Sequence, residues 1–275
     1  MLLSPPPPSA LSPPPLAPPP AVLREAERGV FAFYVLVRDG APVWRLEEAR
    51  RLEVRVWDGG RGQLAPLSPG QALVYALVHD RSDYAAALLR RHGLAALTPE
   101  PCAFCTRSVG PVHLRLAVRY DRQEALRLIL DTLTASLSPG DVSSYLDSRA
   151  FCSHLDGGDA AVAVAVAMGR SRCLLMLLAS GAAATGLEAG LRRLEAGPEA
   201  GRGAEREALR CVYFLLLFGH APSPRPLEAG LRGVLGEPLF HWLSGRAPPT
   251  LLLHALRSIA RTAPESITKL PPGLL

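Results

Sequence analysis

A repeated spacing of apolar residues constrains this chain more than any other feature. In the first segment, Leu73 is followed by Ala76, Asp80-Arg81 and Leu88-Leu89. At the same offsets, Leu114 is followed by Ala117, Asp121-Arg122 and Ile129-Leu130. The third segment has these offsets too, with Val162 followed by Ala165, Gly169-Arg170 and Leu177-Leu178. In each segment apolar residues follow helical spacing, stop at a short polar turn and resume. The pattern predicts three helix–turn–helix units, in which a small residue at a fixed place lets neighbouring helices approach closely.

Units of this kind cannot bury their apolar faces alone, so we expect them to stack into a solenoid. A fourth, degenerate unit follows in two pieces, Thr185–Leu194 and Ala208–Ala221, with a Gly/Glu-rich insertion near 195–207 between them. The spacing is irregular: 41 residues separate Leu73 from Leu114, and 48 separate Leu114 from Val162. We place the extra residues in loops, which such architectures carry on one face.

The stretch from Ala161 to Ala182 is apolar enough to suggest a membrane span or a buried strand. Two arginines, Arg170 and Arg172, stand at its middle. Each would cost roughly 2.5–3.5 kcal/mol at the centre of a membrane helix. Because the apolar runs on either side are too short to span a membrane alone, we predict two short soluble helices with Gly169-Arg170 as the turn.

This third unit, Gly158 to Ala182, resembles an ankyrin repeat. It ends on the Leu-Leu-x-x-Gly-Ala signature, whose glycine is Gly181, and it lacks the Thr-Pro-Leu-His box, where Ala160–Ala163 stand. Ankyrin repeats recur at about 33 residues, so the units here are longer. The first unit begins with Ser68-Pro69-Gly70-Gln71, which predicts a capping box. The resemblance implies an all-α fold, a divergent ankyrin-repeat solenoid.

Four segments follow from these patterns. Residues 1–22 are a proline-rich tail, expected to be disordered; residues 23–67 form an N-terminal helical cap; residues 68–222 form the solenoid, with about four units; and residues 223–275 form a C-terminal helical segment. The cap is predicted because the ends of a solenoid need covering.

The C-terminal segment resembles the elongin-binding box of SOCS-box proteins. The box has a small or hydroxyl residue, a leucine, a cysteine or small substitute and an aliphatic residue, matched here by Thr250, Leu251, Ala255 and Ile259. The last three share one helix face at i, i+4 and i+8, and Thr250 is predicted as the N-cap. Ala255 departs from the commoner cysteine. The alternative is an ordinary amphipathic helix that closes the solenoid.

Downstream, Leu270 and Pro271 resemble the start of a Leu-Pro-x-Pro cullin box, although Gly273 stands in place of its closing proline. A protein with ankyrin repeats followed by a SOCS-box-like segment resembles the substrate receptors of cullin–elongin ubiquitin ligases. From Phe31 to Ile259, in stretches such as Phe31–Tyr34 and Tyr75–Asp80, the chain resembles one family of such receptors. This resemblance implies elongin B/C and a cullin as partners, and IMP dehydrogenase as a candidate protein substrate. The alternative in another class is an ankyrin scaffold or adaptor without ligase recruitment.

Charge and composition add further limits. The net charge is +5 with 30 Lys+Arg, but Lys269 is the single lysine and the arginines are scattered, which argues against a nucleic-acid stripe and fits compositional bias. No secretory signal is visible, and the five cysteines are odd in number and dispersed, which suits a reduced intracellular protein better than a set of disulfides. We therefore expect a cytosolic location, with the nucleus as the alternative, and no membrane association.

Catalytic and metal chemistry find little support. No triad pattern or phosphate loop is present, so we expect no enzyme activity and no cofactor. Cys102 and Cys105 have the spacing of half a zinc site, and the nearest second half is Cys152 with His154, whose spacing is wrong. We interpret the pair as two loop thiols. The dispersed histidines, His79 and His113 among them, are predicted to pack or cap helices.

Overall fold

The computed structural model describes residues 30–52, 54–58, 61–98, 111–149, 159–195, 202–220, 222–223 and 226–270. An N-terminal part holds α1, described over 30–38, α2 (Val43–Arg51), β1 (Val54–Asp58) and β2 (Arg61–Ala65). The repeats then comprise α3 (Pro69–Val78), α4 (Ser82–His92), a 3₁₀ turn (Gly93–Ala96), α5 (Val112–Arg119), α6 (Gln123–Ser136), α7 (Pro139–Asp147), α8 (Ala161–Met168), α9 (Ser171–Ala179), α10 (Leu187–Glu195) and α11 (Arg202–Phe218). The C-terminal part holds α12 (Leu231–Leu235), α13 (Glu237–Leu243), α14 (Leu251–Thr262) and α15 (Pro264–Ile267).

The helices stack in two rows, as a solenoid requires. Within the repeats, α3 packs on α4, α5 on α6, α8 on α9 and α10 on α11. Between repeats, the first helices pack in the order α3, α5, α8, α10, and the second helices in the order α4, α6, α9, α11. The all-α class and the ankyrin-repeat architecture are therefore confirmed.

The two residues at each turn have separate tasks. Asp80, Asp121 and Gly169 all adopt a left-handed backbone, with φ of 58°, 54° and 65°, which only Gly, Asp and Asn reach at low cost. This geometry explains why the repeated pattern holds Asp or Gly at one place. The arginine that follows is the N-cap residue, directly before the second helix of the pair. The turn at Gly169 confirms that Ala161–Ala182 is two helices, and no helix among the described residues is long and apolar enough to cross a membrane.

Ion pairs connect successive turns along the stack. An oxygen of Asp80 lies 3.1 Å from a guanidinium nitrogen of Arg122, and Asp121 lies 3.5 Å from Arg170. The series stops at Gly169, which has no side chain to continue it; there Arg193 donates to the carbonyl of Ala167. The first three turns are thus connected, because the aspartate of one turn pairs with the arginine of the next.

The helix starts follow local chemistry. Ser68 accepts from the Gln71 amide at 3.0 Å while the Gln71 side chain accepts from the Ser68 amide at 3.2 Å, which confirms the capping box. Ser138 caps α7 in the same way, accepting from the Asp141 amide at 3.3 Å. The prediction that the extra residues between the second and third units lie in a loop is wrong over α7: Ser138-Pro139 repeats the Ser-Pro start of α3.

Two further expectations need correction. The segment 23–67, predicted as a helical cap, contains an antiparallel hairpin in which β1 pairs with β2, Val54 opposite Ala65. The run from Leu52 to Val56 alternates apolar with polar residues, which is the period of a strand. The insertion near 195–207 is also shorter than predicted, because residues 202–207 already belong to α11.

One apolar core runs along the stack from Phe33 in α1 to Ile267 in α15. A second, smaller cluster joins α10 and α11 to the C-terminal helices, with Val212, Leu235 and Phe240 among its members.

The N-terminal part is fixed by a polar centre: Glu47 accepts from Arg50 at 2.8 Å and from the Tyr84 hydroxyl at 2.9 Å. Burial alone would raise the pKa of Glu47, but the hydrogen bonds from Arg50 and Tyr84, with the charge of Arg50, hold that pKa below its usual value.

Candidate partner-binding site

The helix α14 begins where its sequence predicts. Thr250 has an extended backbone, and its hydroxyl oxygen accepts a hydrogen bond from the Leu253 amide at 3.2 Å. It thereby satisfies one of the free donors at the helix start. The helix then runs for 12 residues to Thr262, long enough to present three successive turns to a partner.

One face of α14 is buried against the solenoid. Leu253, Leu256 and Ala260 are each 4–5% exposed and join the main core. Their partner is chiefly α11, and α15 follows to contact α9 and α14. This helix therefore closes the end of the stack, as the alternative interpretation of the C-terminal segment expects.

The opposite face of α14 is apolar and exposed. Leu251 is 89% exposed, Leu252 is 53% and Ile259 is 36%, and the methyl group of Ala255 is also exposed. Among the described residues only eight large apolar side chains are this exposed, and three of them belong to this helix. Leu251, Ala255 and Ile259 lie four residues apart, so they form one stripe along the helix. We call this stripe, together with Leu252, the α14 face.

A buried arginine fixes the α14 face in place. Arg257 is 6% exposed, and its guanidinium donates to the carbonyl oxygens of Leu216 and Gly219, the latter at 3.0 Å. It also lies 5.3 Å from the centre of the Trp242 ring. Burial, with the nearby charge of Arg261, lowers the pKa of Arg257 from its ordinary value. The charge is set against the negative end of the α11 helix dipole.

Sequence reasoning missed Leu252 and Arg257. Leu252 lies outside the motif's four positions. Arg257 occupies the same stripe as Leu253, Leu256 and Ala260, so a helical projection of Leu251–Thr262 would have placed a charge on the buried face. A charge on the buried face of a helix indicates a specific contact, because a buried arginine needs hydrogen-bond acceptors.

The cullin-box-like residues are only partly placed. Leu270 packs against the core, and its amide donates to the Ile267 carbonyl at 3.2 Å. Pro271 lies outside the described residues, as do the cysteine pair Cys102 and Cys105, the candidates Cys152 and His154, and the proline tail 1–22. Within the described ranges no group of three or more His, Cys, Asp or Glu side chains could hold a metal ion.

The repeat anchors lie at the contacts between helices. Leu73, Ala76, Leu114, Ala117, Val162 and Ala165 are each at most 1% exposed. Gly181 ends the third unit with φ of 98°, and its carbonyl accepts from the Ser143 hydroxyl at 2.8 Å. A Cβ at Gly181 would lie 3.0 Å from the hydroxyl oxygen of Ser143. Both the backbone conformation and the limited space therefore favour glycine here.

The histidines have packing and capping roles. The Nε2 atom of His113 lies 3.0 Å from the Gly70 carbonyl, which joins α5 to α3. Burial lowers the pKa of His113 to about 4, so the ring is neutral near pH 7 and Nε2 donates. The ring of His79 stacks edge-on against Tyr34 at 5.0 Å. Neither ring belongs to a cluster with a nucleophile, and both cysteines described, Cys173 and Cys211, are buried.

Paired helices in two rows, with left-handed Asp or Gly turns between the members of each pair, define an ankyrin-repeat protein. Comparison with known proteins agrees: the chain is 34% identical to ankyrin repeat domain-containing protein 9 of Mus musculus, over an alignment that covers 91% of this chain and 88% of that protein. The chain belongs to the family of ankyrin repeat domain-containing protein 9. No family model matches the chain, and no solved structure matches it.

Proposed function

We propose that this protein is a non-catalytic substrate receptor of a cullin–elongin ubiquitin ligase. A repeat-based role in protein interaction follows from the family, and an adaptor without catalysis fits that role. The finer proposal is that the α14 face binds elongin B/C while the solenoid holds the protein to be ubiquitinated.

The single observation that carries the proposal is the two-sided character of α14. A helix that only closes a stack needs one apolar face, which Leu253 and Leu256 supply, and its other face is normally polar. Here the other face presents Leu251 at 89% exposure with Ile259 two turns later. Exposed apolar side chains at i, i+4 and i+8 are the anchors of a helix that lies in a partner's groove.

Substitution at the centre of this observation tests the proposal. The full chain and a Leu251→Asp variant are co-expressed with elongin B/C and purified by a tag on the chain. We expect the wild type to retain elongin B/C and the variant to lose it, because an aspartate cannot be desolvated in an apolar groove. Since Leu251 is almost fully exposed, the melting temperature should change little.

Leu52→Asp is the matched control. Leu52 is also an exposed leucine, at 63%, but it is the C-cap of α2 in the N-terminal part of the chain. The control should retain elongin B/C. A wild type that brings down no elongin, or a Leu251→Asp variant that binds as the wild type does, overturns the receptor proposal.

The alternative function, a scaffold without ligase recruitment, needs only the buried face of α14, which caps the stack under either function. It predicts capture of protein partners with no elongin among them. Mass spectrometry of the purified complexes separates the two functions. IMP dehydrogenase, the substrate that the sequence resemblance implies, is the first protein to look for in them.

A further inference from the structure

A pocket lies where the solenoid meets the C-terminal helices. It has a volume of about 570 Å³ and is lined by residues of α11, α12, α13 and the first turn of α14. This volume falls in the range of roughly 300–1,000 Å³ that is usual for ligand-binding pockets. We call it the junction pocket. Its position is separate from the α14 face, although the two meet at Thr250, which lines the pocket beside the exposed Leu251.

The walls of the junction pocket are mainly apolar. Leu209 and Tyr213 come from α11, Leu235 from α12, Leu239 from α13 and Leu253 from α14. The half-buried Tyr213 adds a hydroxyl group to this lining. The pocket therefore offers space for a leucine-sized side chain.

The charge at the pocket is positive. Arg206 and Arg210 line it, one turn apart on α11. Arg210 is paired with Glu207 at 2.9 Å, and the other carboxylate oxygen of Glu207 accepts from Ser171. Arg206 is exposed and makes no ion pair with any described residue. One uncompensated cation thus stands over an apolar pocket, which selects an occupant with a carboxylate beside apolar groups.

We propose that the junction pocket binds a segment of a protein partner in which an acidic residue is flanked by leucine-sized side chains. The carboxylate lies against Arg206 and Arg210, and an apolar neighbour enters the space between Tyr213 and Leu253. A polypeptide is favoured over a small molecule because Thr250 joins the pocket directly to exposed Leu251. An extended chain seated in the pocket can therefore continue along α14. The proposal goes beyond elongin recruitment and does not depend on it.

Fluorescence anisotropy on the purified full chain tests the pocket. The probe is a fluorescein-labelled, capped eight-residue peptide with one glutamate between leucines, and its partner has lysine in place of the glutamate. We expect the glutamate peptide to bind at least about fivefold more tightly than the lysine peptide, as a charge contact at a partly exposed site allows. Arg206→Glu should remove this preference.

Two variants separate the possible failures. Arg45→Glu makes the same charge change at an exposed arginine of α2, far from the pocket, and should bind the glutamate peptide as the wild type does. Ile259→Asp, at the end of the α14 face that lies two turns away from the pocket, should also bind it normally, even though it loses elongin B/C. If the wild type binds no elongin B/C, the peptide result is therefore unaffected. If the wild type binds no peptide, the elongin result is likewise unaffected.

Three results overturn the proposal. The first is equal binding of the two peptides, and the second is binding by Arg206→Glu equal to that of the wild type. The third is no binding of the glutamate peptide up to about 1 mM. If decanoate raises the melting temperature while the peptide does not bind, the occupant is a small amphiphile and the assignment to a protein segment is wrong.

Discussion

Replacing Arg257 by leucine tests how the C-terminal helix is held on the repeats. The guanidinium donates to the carbonyls of Leu216 and Gly219 at the end of α11 and lies over the Trp242 ring. No carboxylate among the described residues pairs with it. Its stabilising contacts are therefore hydrogen bonds to backbone oxygens and one cation–π contact.

Two opposite effects decide the magnitude. Leucine removes hydrogen bonds from a charged donor, each worth about 1.5–3 kcal/mol, and leaves a buried carbonyl unsatisfied; it also removes a cation–π contact worth about 0.5–1 kcal/mol. Against this, it removes the cost of burying a charge, which in some proteins makes an apolar replacement neutral or stabilising. Because two acceptors are left behind at a helix end, we expect a net loss of roughly 2–4 kcal/mol.

Urea unfolding followed by circular dichroism measures the total, and amide hydrogen exchange locates it. We expect α14 and α15 to lose protection in Arg257→Leu while α8 and α9 keep theirs. Arg261→Leu, at an exposed arginine one turn further along, should change stability by less than about 0.5 kcal/mol. A variant Arg257→Leu as stable as the wild type would show that the buried charge costs as much as its contacts contribute.

Three further predictions concern single positions. Asp80→Gly should be more stable than Asp80→Ala by about 1 kcal/mol in urea unfolding, because both lose the ion pair to Arg122 but only glycine relieves the left-handed backbone. Burial lowers the pKa of His113 from 6.5 to about 4, so the unfolded chain binds a proton that the folded chain does not as pH falls between these values. His113 should contribute a drop in stability of about 3 kcal/mol over that range, and His113→Gln should remove this contribution while those of His79 and His92, whose pKa values burial also lowers, remain, as urea midpoints at about pH 7 and 4.5 would show. Ala255→Cys, which restores the commoner residue of the elongin-binding box, should tighten elongin B/C binding in calorimetry, whereas Ala255→Arg should block it.

The repeats could be predicted because their signals are local. Asp80, Asp121 and Gly169 must adopt a left-handed backbone at the same offset from Leu73, Leu114 and Val162, and this requirement shows directly in the sequence. The α14 face could be predicted for the same reason, since helical spacing alone puts Leu251, Ala255 and Ile259 on one side. The hairpin and α7 carried local signals as well, but the strand period and the Ser138-Pro139 start were assigned to helix and loop.

The contacts between elements could not be predicted in this way. The acceptors of Arg257 lie 41 and 38 residues before it in the chain, and nothing in the sequence near Leu216 or Gly219 marks them as acceptors. The junction pocket depends likewise on four elements meeting, of which the sequence indicates two, the second piece of the fourth unit and the helix that follows Thr250. The sequence shows the spacing of residues within one element, whereas only the fold shows which element packs against it.

The arginine content illustrates the same distinction. Compositional bias explains exposed arginines such as Arg45, but not those at the joints of the stack. Arg81 donates to the carbonyls of Val37 and Ala41, and Arg122 to those of Leu77 and Val78; as with Arg257, each guanidinium reaches two carbonyls at or just beyond the end of a neighbouring helix. A planar fork of five donors can serve two oxygens at once, whereas a lysine ammonium is a point charge on a flexible stem. Arginine is therefore a structural requirement at these positions, because every joined helix leaves carbonyls at its end that its own amides do not satisfy.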